Sequence, residues 1–321
     1  MIKADVCVMV VTFNRCDYLG KLLDALCGQT IKPSIIVIFD NHSSDNTQDL
    51  LACRGFVTRP LGDGECSVCE SNGMEIHCLR NAVNSGGAGG FHDGIRYARS
   101  LNPRYIWAMD DDVFPAPDCL EILLSGMTLE RKICLPNRTT GDDYIDGAIT
   151  RVNMSNPFLY SIGLRKMIVP STKLSEEVTP VQDMPFEGPL MDSTLIDEIG
   201  LPNKDLFITF DDSEYCTRAL RHTTVGFVRS AHLYKQIIPR TDHARLMGWK
   251  DYYGYRNQYW FDRTYGENAA VRVLRPFLSR LDLTLRAIAR RKWTNVRVIS
   301  RAYDDGTHGR LGKLVEPGGN V

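Results

Sequence analysis

The sequence predicts an α/β protein in which helices cover a parallel sheet. Two strand-length runs rich in β-branched residues, VCVMVVTF near the start and SIIVIFD soon after, are each followed by a segment of helical spacing. A third cycle repeats that order further along, and strand–helix–strand alternation is the pattern of parallel strands joined by right-handed crossovers.

Behind VCVMVVTF, the segment CDYLGKLLDALCGQT places Tyr18, Leu19, Leu22, Leu23 and Leu26 at helical intervals. SIIVIFD reads as a second buried strand, and SSDNTQDLLA opens a helix with Ser and Asp capping residues. The pattern pauses over CRGFVTRPLGDGECSVCESNGMEIH. It resumes with HCLRNAV as strand, GAGGFHDGIRYARSL as turn and helix, and RYIWAMD as strand. From Phe114 to about Ile238 strands and helices mix, including a buried RKICLPN and a strand-to-helix junction in FITFDDSEYCTRAL. Beyond Arg240 the chain reads as mainly helical, with LSRLDLTLRAIARRKW its clearest amphipathic segment. The expected division is therefore a catalytic-type α/β domain over 1–240, halved at 112/113, and a basic helical region over 241–321.

At 321 residues the chain has room for one large domain or a domain with an appendage, and 43% apolar with 24% charged residues is the composition of a globular protein. A formal net charge of −1 excludes a protein that is basic throughout, so nucleic acid is not an expected partner. No run of eighteen apolar residues occurs, which argues against a membrane span. The opening MIKADVCVMVVTFNR has too short an apolar part and no small-residue cleavage site for a signal peptide, and reads as a first strand. Ten cysteines without a secretion signal imply reduced thiols in a cytoplasmic protein.

YIWAMDDDVFPAPD carries Asp110, Asp111 and Asp112 at the C-terminal end of a parallel strand, where open α/β sheets hold ligands. Strand alternation puts Asp110 and Asp112 on one side and Asp111 on the other. Two carboxylates aimed into a crevice suit Mg²⁺ or Mn²⁺ that also coordinates substrate phosphates, whereas Asp111 needs a different partner such as a backbone N–H or an Arg. The bland alternative is an acidic turn capping the following helix. NSGGAGGF places Gly86, Gly87, Gly89 and Gly90 between strand and helix, where a backbone lacking Cβ atoms can approach a diphosphate. It is neither a dinucleotide fingerprint, since His92 stands at the third glycine position, nor a P-loop, since Ile95 replaces the lysine. Asp40 and Asn41 end the second strand and Thr12, Asn14 and Arg15 the first; each is a candidate for a ribose hydroxyl or base N–H, or a capping and turn group.

Taken in order, VVTFNRCDYLGKLLDALCGQT, IIVIFDNHSSDNT, NSGGAGGF, YIWAMDDDVFPAP and FITFDDSEYCTRAL resemble the motifs of family-2 inverting glycosyltransferases, and most of all the galactofuranosyltransferases and related rhamnosyltransferases. The resemblance runs from about Val6 to His232. It implies a GT-A type nucleotide-diphospho-sugar transferase fold, a Rossmann-like mixed sheet flanked by helices, with a mainly helical C-terminal extension. It further implies Asp110 and Asp112 as ligands of the metal, with Thr12, Asn14, Arg15, Asp40, Asn41, Arg80, Asn84, Asp110, Asp111 and the glycines 86 to 90 around the donor. Asp212 matches the general base, with Asp211 and Glu214 beside it. His232 lies where the family often places a histidine metal ligand, and His243 competes for that role.

Chemistry asks for the same parts. Transfer from a nucleotide diphosphate needs positive charge at the leaving group and a base near the acceptor hydroxyl, on the opposite side from the metal. A base at Asp212 meets the second demand, although Asp211, Asp212 and Glu214 also form an ordinary acidic helix N-terminus.

Two segments depart from the family pattern. Cys66 and Cys69 form a C-x-x-C that Cys53, His77 and Cys78 could complete as a structural Zn²⁺ site, against the alternatives of free surface thiols or a redox pair. From Val271 to Lys313 eleven Arg and Lys residues, among them Arg272, Arg275, Arg280, Arg286, Arg290, Arg291, Arg297, Arg301 and Arg310, face only Asp282, Asp304 and Asp305. With Leu281, Leu283, Leu285, Ile288 and Trp293 interleaved, this allows an interfacial helix on an anionic membrane, or a packed helix with a solvated basic face. The expected activity is metal-dependent, inverting transfer of galactofuranose from UDP-galactofuranose to a glycan or lipid-linked oligosaccharide, by a cytoplasmic enzyme peripheral to the membrane and able to form homo-oligomers. The rivals are a dTDP-rhamnose-dependent transferase, a non-catalytic sugar-nucleotide-binding protein and a nucleotidyltransferase.

Overall fold

The computed structural model describes residues 3–139, 147–236, 246–319 and 321. Its N-terminal half alternates as the sequence requires: β1 (Lys3–Thr12), α1 (Cys16–Cys27), β2 (Lys32–Asp40) and α2 (Thr47–Cys53). Then come β3 (Cys66–Ser71), β4 (Met74–Arg80), α3 (Gly86–Ser100), β5 (Tyr105–Asp110), β6 (Val113–Pro115) and α4 (Cys119–Gly126). β1 lies parallel to both β2 and β5, and β2 is parallel to β4.

The cysteine-rich pause hides a strand. β3 folds back antiparallel on β4 through Asn72 and Gly73, whose φ values of 52° and 72° are those of a tight hairpin turn. The Asn-Gly step between alternating residues was the available signal.

The second half extends and reverses the sheet with β7 (Ile133–Thr139), β8 (Gly147–Val152), α5 (Ile162–Arg165), β9 (Lys166–Pro170), β10 (Val178–Val181) and β11 (Leu190–Asp192). α6 (Ser193–Ile199), α7 (Asp211–Ala219) and β12 (Val225–Lys235) follow. The main sheet runs β10-β12-β7-β11-β5-β1-β2-β4-β3, with β6 on β12, while β8 and β9 form a separate ribbon. β11 is antiparallel to β5 and β7, so the sheet is mixed.

Period-two alternation divides the core. Val6, Val8 and Val10 face Leu19, Leu22, Leu23 and Leu26 of α1, whereas Cys7, Met9 and Val11 face Phe91, Ile95 and Ala98 of α3. Each of these fully buried leucines contributes about 2 kcal/mol of transfer free energy, which is why the leucine spacing located α1 so well.

Three helices close the chain: α8 (Trp249–Tyr265), α9 (Ala269–Ala289) and α10 (Trp293–Thr307). α8 packs into the body through Tyr252, Tyr253 and Tyr259, which share a core with Phe207, Val298, Ala302 and Val315. A fully buried Asp262 takes Arg165 at 2.8 Å and Arg275 at 3.3 Å.

Candidate active site

The β5 carboxylates stand where the parallel strands end. β5 stops at Asp110, and Asp111 and Asp112 lie in the turn that follows. Asp111 is buried and fully engaged: its Oδ2 accepts from Thr12 Oγ1 at 2.7 Å and Phe13 N at 3.2 Å, and its Oδ1 from Arg15 Nη1 at 2.9 Å. The same Arg15 nitrogen sits 3.0 Å from Asp112 Oδ2. Alternation therefore does not separate the triplet cleanly, because the chain turns after Asp110 and one guanidinium spans the next two residues. Burial opposes the charge on Arg15, but Asp111 and Asp112 outweigh it and hold its pKa above the ordinary value.

Asp110 is different. Among the described residues its carboxylate forms no hydrogen bond or ion pair. Burial, then Asp112, Glu187 and Asp111, push its pKa well above the usual carboxylate range. Asp112 is also raised, by burial first, against the opposing pull of Arg15 and Lys235. Glu187, just before β11, is held below the usual range because Arg138 at 2.7 Å and Lys235 at 2.8 Å outweigh its burial. Sequence patterning did not single out Glu187, Arg138 or Lys235, which reach the site from separate strands and a loop.

The chemistry of this donor set suits a divalent cation. An unpartnered carboxylate crowded by further carboxylates gains most from added positive charge, and hard oxygen ligands match Mn²⁺ or Mg²⁺. Asp110 and Asp112 would hold such an ion. His232 is not gathered with them: its side chain is exposed on β12, and among the described residues no cluster of three or more His, Cys, Asp or Glu forms a metal cage. Ala231 and Leu233 on either side of it take the inward face of the strand. His243 lies outside the described residues.

Several residues expected around the donor also tie neighbouring loops together. Both oxygens of the fully buried Asp40 are taken, Oδ1 by Ser43 N at 2.8 Å and Oδ2 by Gln48 at 2.6 Å and Arg80 at 2.9 Å. Asn41 accepts from Asn81 and Ser85 and donates to Asn84 Oδ1 at 3.3 Å and Gly86 O at 2.9 Å, pinning the start of α3 to β2. Asn14, at φ 53°, accepts from Ser44 N at 2.7 Å and so ties the ends of β1 and β2 together. These contacts hold together the loops that border the crevice.

Packing requires three of the four glycines. A Cβ on Gly86, where φ is 76°, would lie 2.1 Å from Phe207 O, one on Gly89 2.5 Å from Ser85 Cβ, and one on Gly90 2.6 Å from Val11 Cγ1. Only at Gly87, of the four, does the Cβ direction meet nothing within 4 Å.

The second acidic centre opens α7. Asp211 is buried and Asp212 half-buried. Burial, reinforced for Asp212 by Asp211 and Asp183, raises both above the ordinary carboxylate range, while Lys166 pulls Asp212 the other way. Lys166 is itself paired with Asp183. Glu214 is committed elsewhere: Arg218 holds it at 2.7 and 2.9 Å and the Tyr265 hydroxyl at 2.5 Å. It anchors α7 to α8 and does not join the acid pair in open space.

A cavity of about 110 Å³ flanks this helix, lined by Ser213, Thr217, Phe210, Phe261, Lys166 and Asp183 among others. The segment between β10 and β11 influences both centres, since the charge of Asp183 acts on Asp212 and that of Glu187 on Asp110. Phe186 between them stacks on Phe91 of α3 at 4.5 Å and leans on Tyr215 of α7 at 5.7 Å.

FITF is not a strand. Phe207, Thr209 and Phe210 all have positive φ, 65°, 64° and 67°, so the chain reaches Asp211 through a tight loop.

The cysteines do not assemble. Cys66 and Cys69 lie three apart on β3 and so point to opposite faces, Cys78 is buried in the core, and Cys53 is exposed at the end of α2. His77 is occupied by the Tyr97 hydroxyl and Glu75, both at 2.9 Å. The expected Zn²⁺ site of Cys53, Cys66, Cys69 and Cys78 is therefore not formed among the described residues.

A model of the family described as Glycosyl transferase family 2 matches residues 7–172, more than half of the 321 residues. The chain belongs to glycosyltransferase family 2. This family-2 chain is 26% identical over 227 residues to the galactofuranosyltransferase GlfT1 of Mycolicibacterium smegmatis, a match covering 67% of the chain and 65% of the relative. GlfT1 of Mycobacterium tuberculosis H37Rv is also 26% identical, over 66% of the chain and 64% of the relative. The family-2 chain thus spans just under two thirds of the length of these relatives.

Two solved structures share its fold. The mannosyltransferase PcManGT from Pyrobaculum calidifontis, in complex with GDP-Man and Mn²⁺, superposes with a TM-score of 0.57 at 14% identity over 95% of this chain and 88% of that one. GalNAc-T7 with UDP, GalNAc and Mn²⁺ gives 0.57 at 15% identity over 84% and 53%. The family-2 chain has the GT-A fold, a mixed sheet flanked by helices, followed by the helical region α8 to α10.

Proposed function

We propose that this glycosyltransferase moves galactofuranose from UDP-galactofuranose to a glycan hydroxyl, with inversion and with a divalent cation at Asp110 and Asp112. The observation that carries the reading is the pairing of two unlike acidic centres: an unpartnered Asp110 crowded by carboxylates, and a separate raised pair at Asp211 and Asp212. The choice of sugar leans on the galactofuranosyltransferase relatives.

In this reading a bound Mn²⁺ or Mg²⁺ supplies charge neutralisation for the departing diphosphate. Arg15 fixes the loop carboxylates in place, and Arg138 and Lys235 hold Glu187 ionised. Asp212 takes the proton of the acceptor hydroxyl; its raised pKa makes it a stronger base than an ordinary carboxylate, and Lys166 and Asp183 set its surroundings. A single displacement from the face opposite the leaving group gives inversion.

The deciding experiment is a donor screen with Mn²⁺ that reads nucleotide release. Release of UDP from UDP-galactofuranose alone supports the assignment. Turnover only with dTDP-rhamnose selects the rhamnosyl alternative, and donor binding without any release selects a non-catalytic protein.

The same reading places the acceptor on a lipid carrier, and α9 supports it. Val273, Phe277, Leu281, Leu285 and Ile288 are all exposed along one side of α9, with Trp293 63% exposed just beyond. At 1.5 Å per residue this stripe is about 22 Å long. Leu283, expected to join it, is half-buried, and Val273 and Phe277 take its place. Much of the basic charge is used internally, since Arg275 is buried against Asp262 and Arg310 pairs with Asp304 and Asp305. Arg290, Arg291 and Arg297 are exposed and form no ion pair among the described residues. An apolar stripe ending in such cations fits an anionic lipid surface. No helix among the described residues is long and apolar enough to cross a membrane.

A further inference from the structure

The loop that delivers the acid pair is strained, and its restraint comes from the C-terminal helices. Phe207 has φ 65° and ψ −56°, and Ile208 N donates to Leu206 O at 2.8 Å, which makes the turn a γ-turn of the rare positive-φ kind. Thr209, a β-branched residue at φ 64°, is a genuine outlier for an L side chain. Phe210 at φ 67° then leads directly into Asp211. Conformations of this kind persist only where surrounding structure over-determines them.

The over-determination is visible. Asn257 of α8 is fully buried, and its Nδ2 lies 2.9 Å from each of Leu206 O, Ile208 O and Thr209 O. Its Oδ1 accepts from Arg256 Nε at 2.8 Å, which fixes the amide's orientation. Arg256, also fully buried, donates to Leu206 O at 2.9 Å, Asp205 O at 3.3 Å and Gly312 O at 2.6 Å. On its other side the loop offers Phe207 O to Ala88 N at 3.1 Å, and the missing Cβ of Gly86 makes room for that carbonyl. One loop thus touches the start of α3, the start of α7 and the middle of α8.

We infer that Asn257 is a positioning residue: it clamps the turn at Phe207 through the carbonyls of Leu206, Ile208 and Thr209 and so sets the Asp211–Asp212 pair in register with the α3 turn beside the donor crevice. The inference rests on the reading of Asp212 as the base. It assigns a role in turnover to α8, which lies outside the residues 7–172 matched by the family model.

The groups facing Asp212 are Asp211, Asp183 and Lys166, none of which Asn257 contacts, so loss of the clamp acts through backbone position and hydration. Asn257→Ala is expected to lower kcat by about 10- to 100-fold, the scale of a misplacement of about 1 Å, with donor KM changed less than about threefold. The acid limb of the kcat profile moves down towards ordinary carboxylate values as water reaches the freed pair. Adding Thr209→Gly, which removes the steric cost of positive φ, restores part of the lost kcat.

A folded Asn257→Ala enzyme with unchanged kcat and pH profile overturns the proposal, as does the absence of any rescue by Thr209→Gly. Should Asn257→Ala fail to fold, the proposal requires that the double variant recover folded protein, and failure to do so overturns it equally. Asp212→Asn runs alongside. Turnover retained there removes the base assignment itself, whereas an inactive Asp212→Asn beside an unimpaired Asn257→Ala removes the clamp alone.

Discussion

Arg15 Nη1 stands 2.9 Å from Asp111 Oδ1, and Thr12 Oγ1 closes on the other oxygen of the same carboxylate at 2.7 Å. The middle residue of the aspartate triplet is thereby a structural knot between the ends of β1 and β5. Its neighbour Asp110 has no partner among the described residues. Adjacent carboxylates therefore separate by task.

Substitution should expose that division. Asp111→Ala leaves the buried Thr12 hydroxyl and the Phe13 N–H without their acceptor, takes one of two carboxylates from Arg15, and is expected to cost about 1–3 kcal/mol of stability. Asp110→Asn keeps or raises thermal stability while metal-dependent turnover falls by about 100-fold or more. Thermal melts and Mn²⁺-dependent UDP release on the two variants check this, and equal melting losses at both sites contradict it.

The acid pair of α7 sets a pH dependence. Because the folded pKa values of Asp211 and Asp212 lie above the unfolded carboxylate value, a base at Asp212 becomes competent only at higher pH than an ordinary Asp near 4. The acid limb of the rate profile is expected above that value. The sign for stability is the reverse of a salt-bridged Asp: the folded state holds the proton more tightly, so ionisation costs stability as pH rises from the unfolded towards the folded pKa. Asp212→Asn should therefore abolish transfer and raise the melting temperature by about 1–2 °C at neutral pH, roughly 1 kcal/mol for a chain of this size.

The glycines make a graded series. Gly86→Ala and Gly90→Ala force a Cβ to within 2.1 Å of Phe207 O and 2.6 Å of Val11 Cγ1, and should each cost about 1–3 kcal/mol in denaturant titration. Gly87→Ala meets nothing within 4 Å and should leave stability within about 0.5 kcal/mol. Any change in donor KM at Gly87→Ala then reports on donor approach without a folding effect.

Thiol chemistry tests the cysteine-rich hairpin. Exposed Cys53 and Cys66 should react rapidly with a thiol reagent in the native protein, whereas buried Cys7, Cys78, Cys119, Cys134 and Cys216 should react only on unfolding. Metal analysis should find no zinc retained by these side chains. A stoichiometric zinc that protects Cys66 and Cys69 together would contradict the strand geometry.

The α9 stripe predicts salt-sensitive binding to vesicles containing anionic lipid. Arg290→Glu with Arg291→Glu should weaken it at least tenfold, from about 1 kcal/mol for each basic residue at the surface, and Phe277→Asp should weaken it further. Light scattering separates the alternative, for a stripe that instead seats a second copy of the chain will show a dimer that Phe277→Asp dissolves.

Local pattern sufficed for much of this fold. The leucine spacing of α1, the β-branched runs of β1 and β2, and the strand-end aspartates are all written in consecutive residues, because helical and strand periodicity are local properties. Burial of those faces then forces the layered arrangement. Elsewhere the deciding influence comes from distant parts of the chain. FITF has strand composition, but Asn257, nearly fifty residues away, and the Gly86 turn hold it as a loop at positive φ. The Cys-x-x-Cys lies on β3, whose alternation parts the two thiols.

By itself, then, the sequence determined the α/β class, the ordered motifs of family 2 and the identity of the acidic residues that end β5 and begin α7. Only the tertiary structure decided which of them are free. Asp40, Asn41 and Asp111 look from their positions like ligand groups, and the fold also engages their oxygens with Gln48, Arg80, Ser85, Thr12 and Arg15. Hydrogen-bond capacity is consumed pairwise between residues far apart in the chain, so a residue's type announces what it can do, and its folded neighbours settle whether anything remains for a substrate.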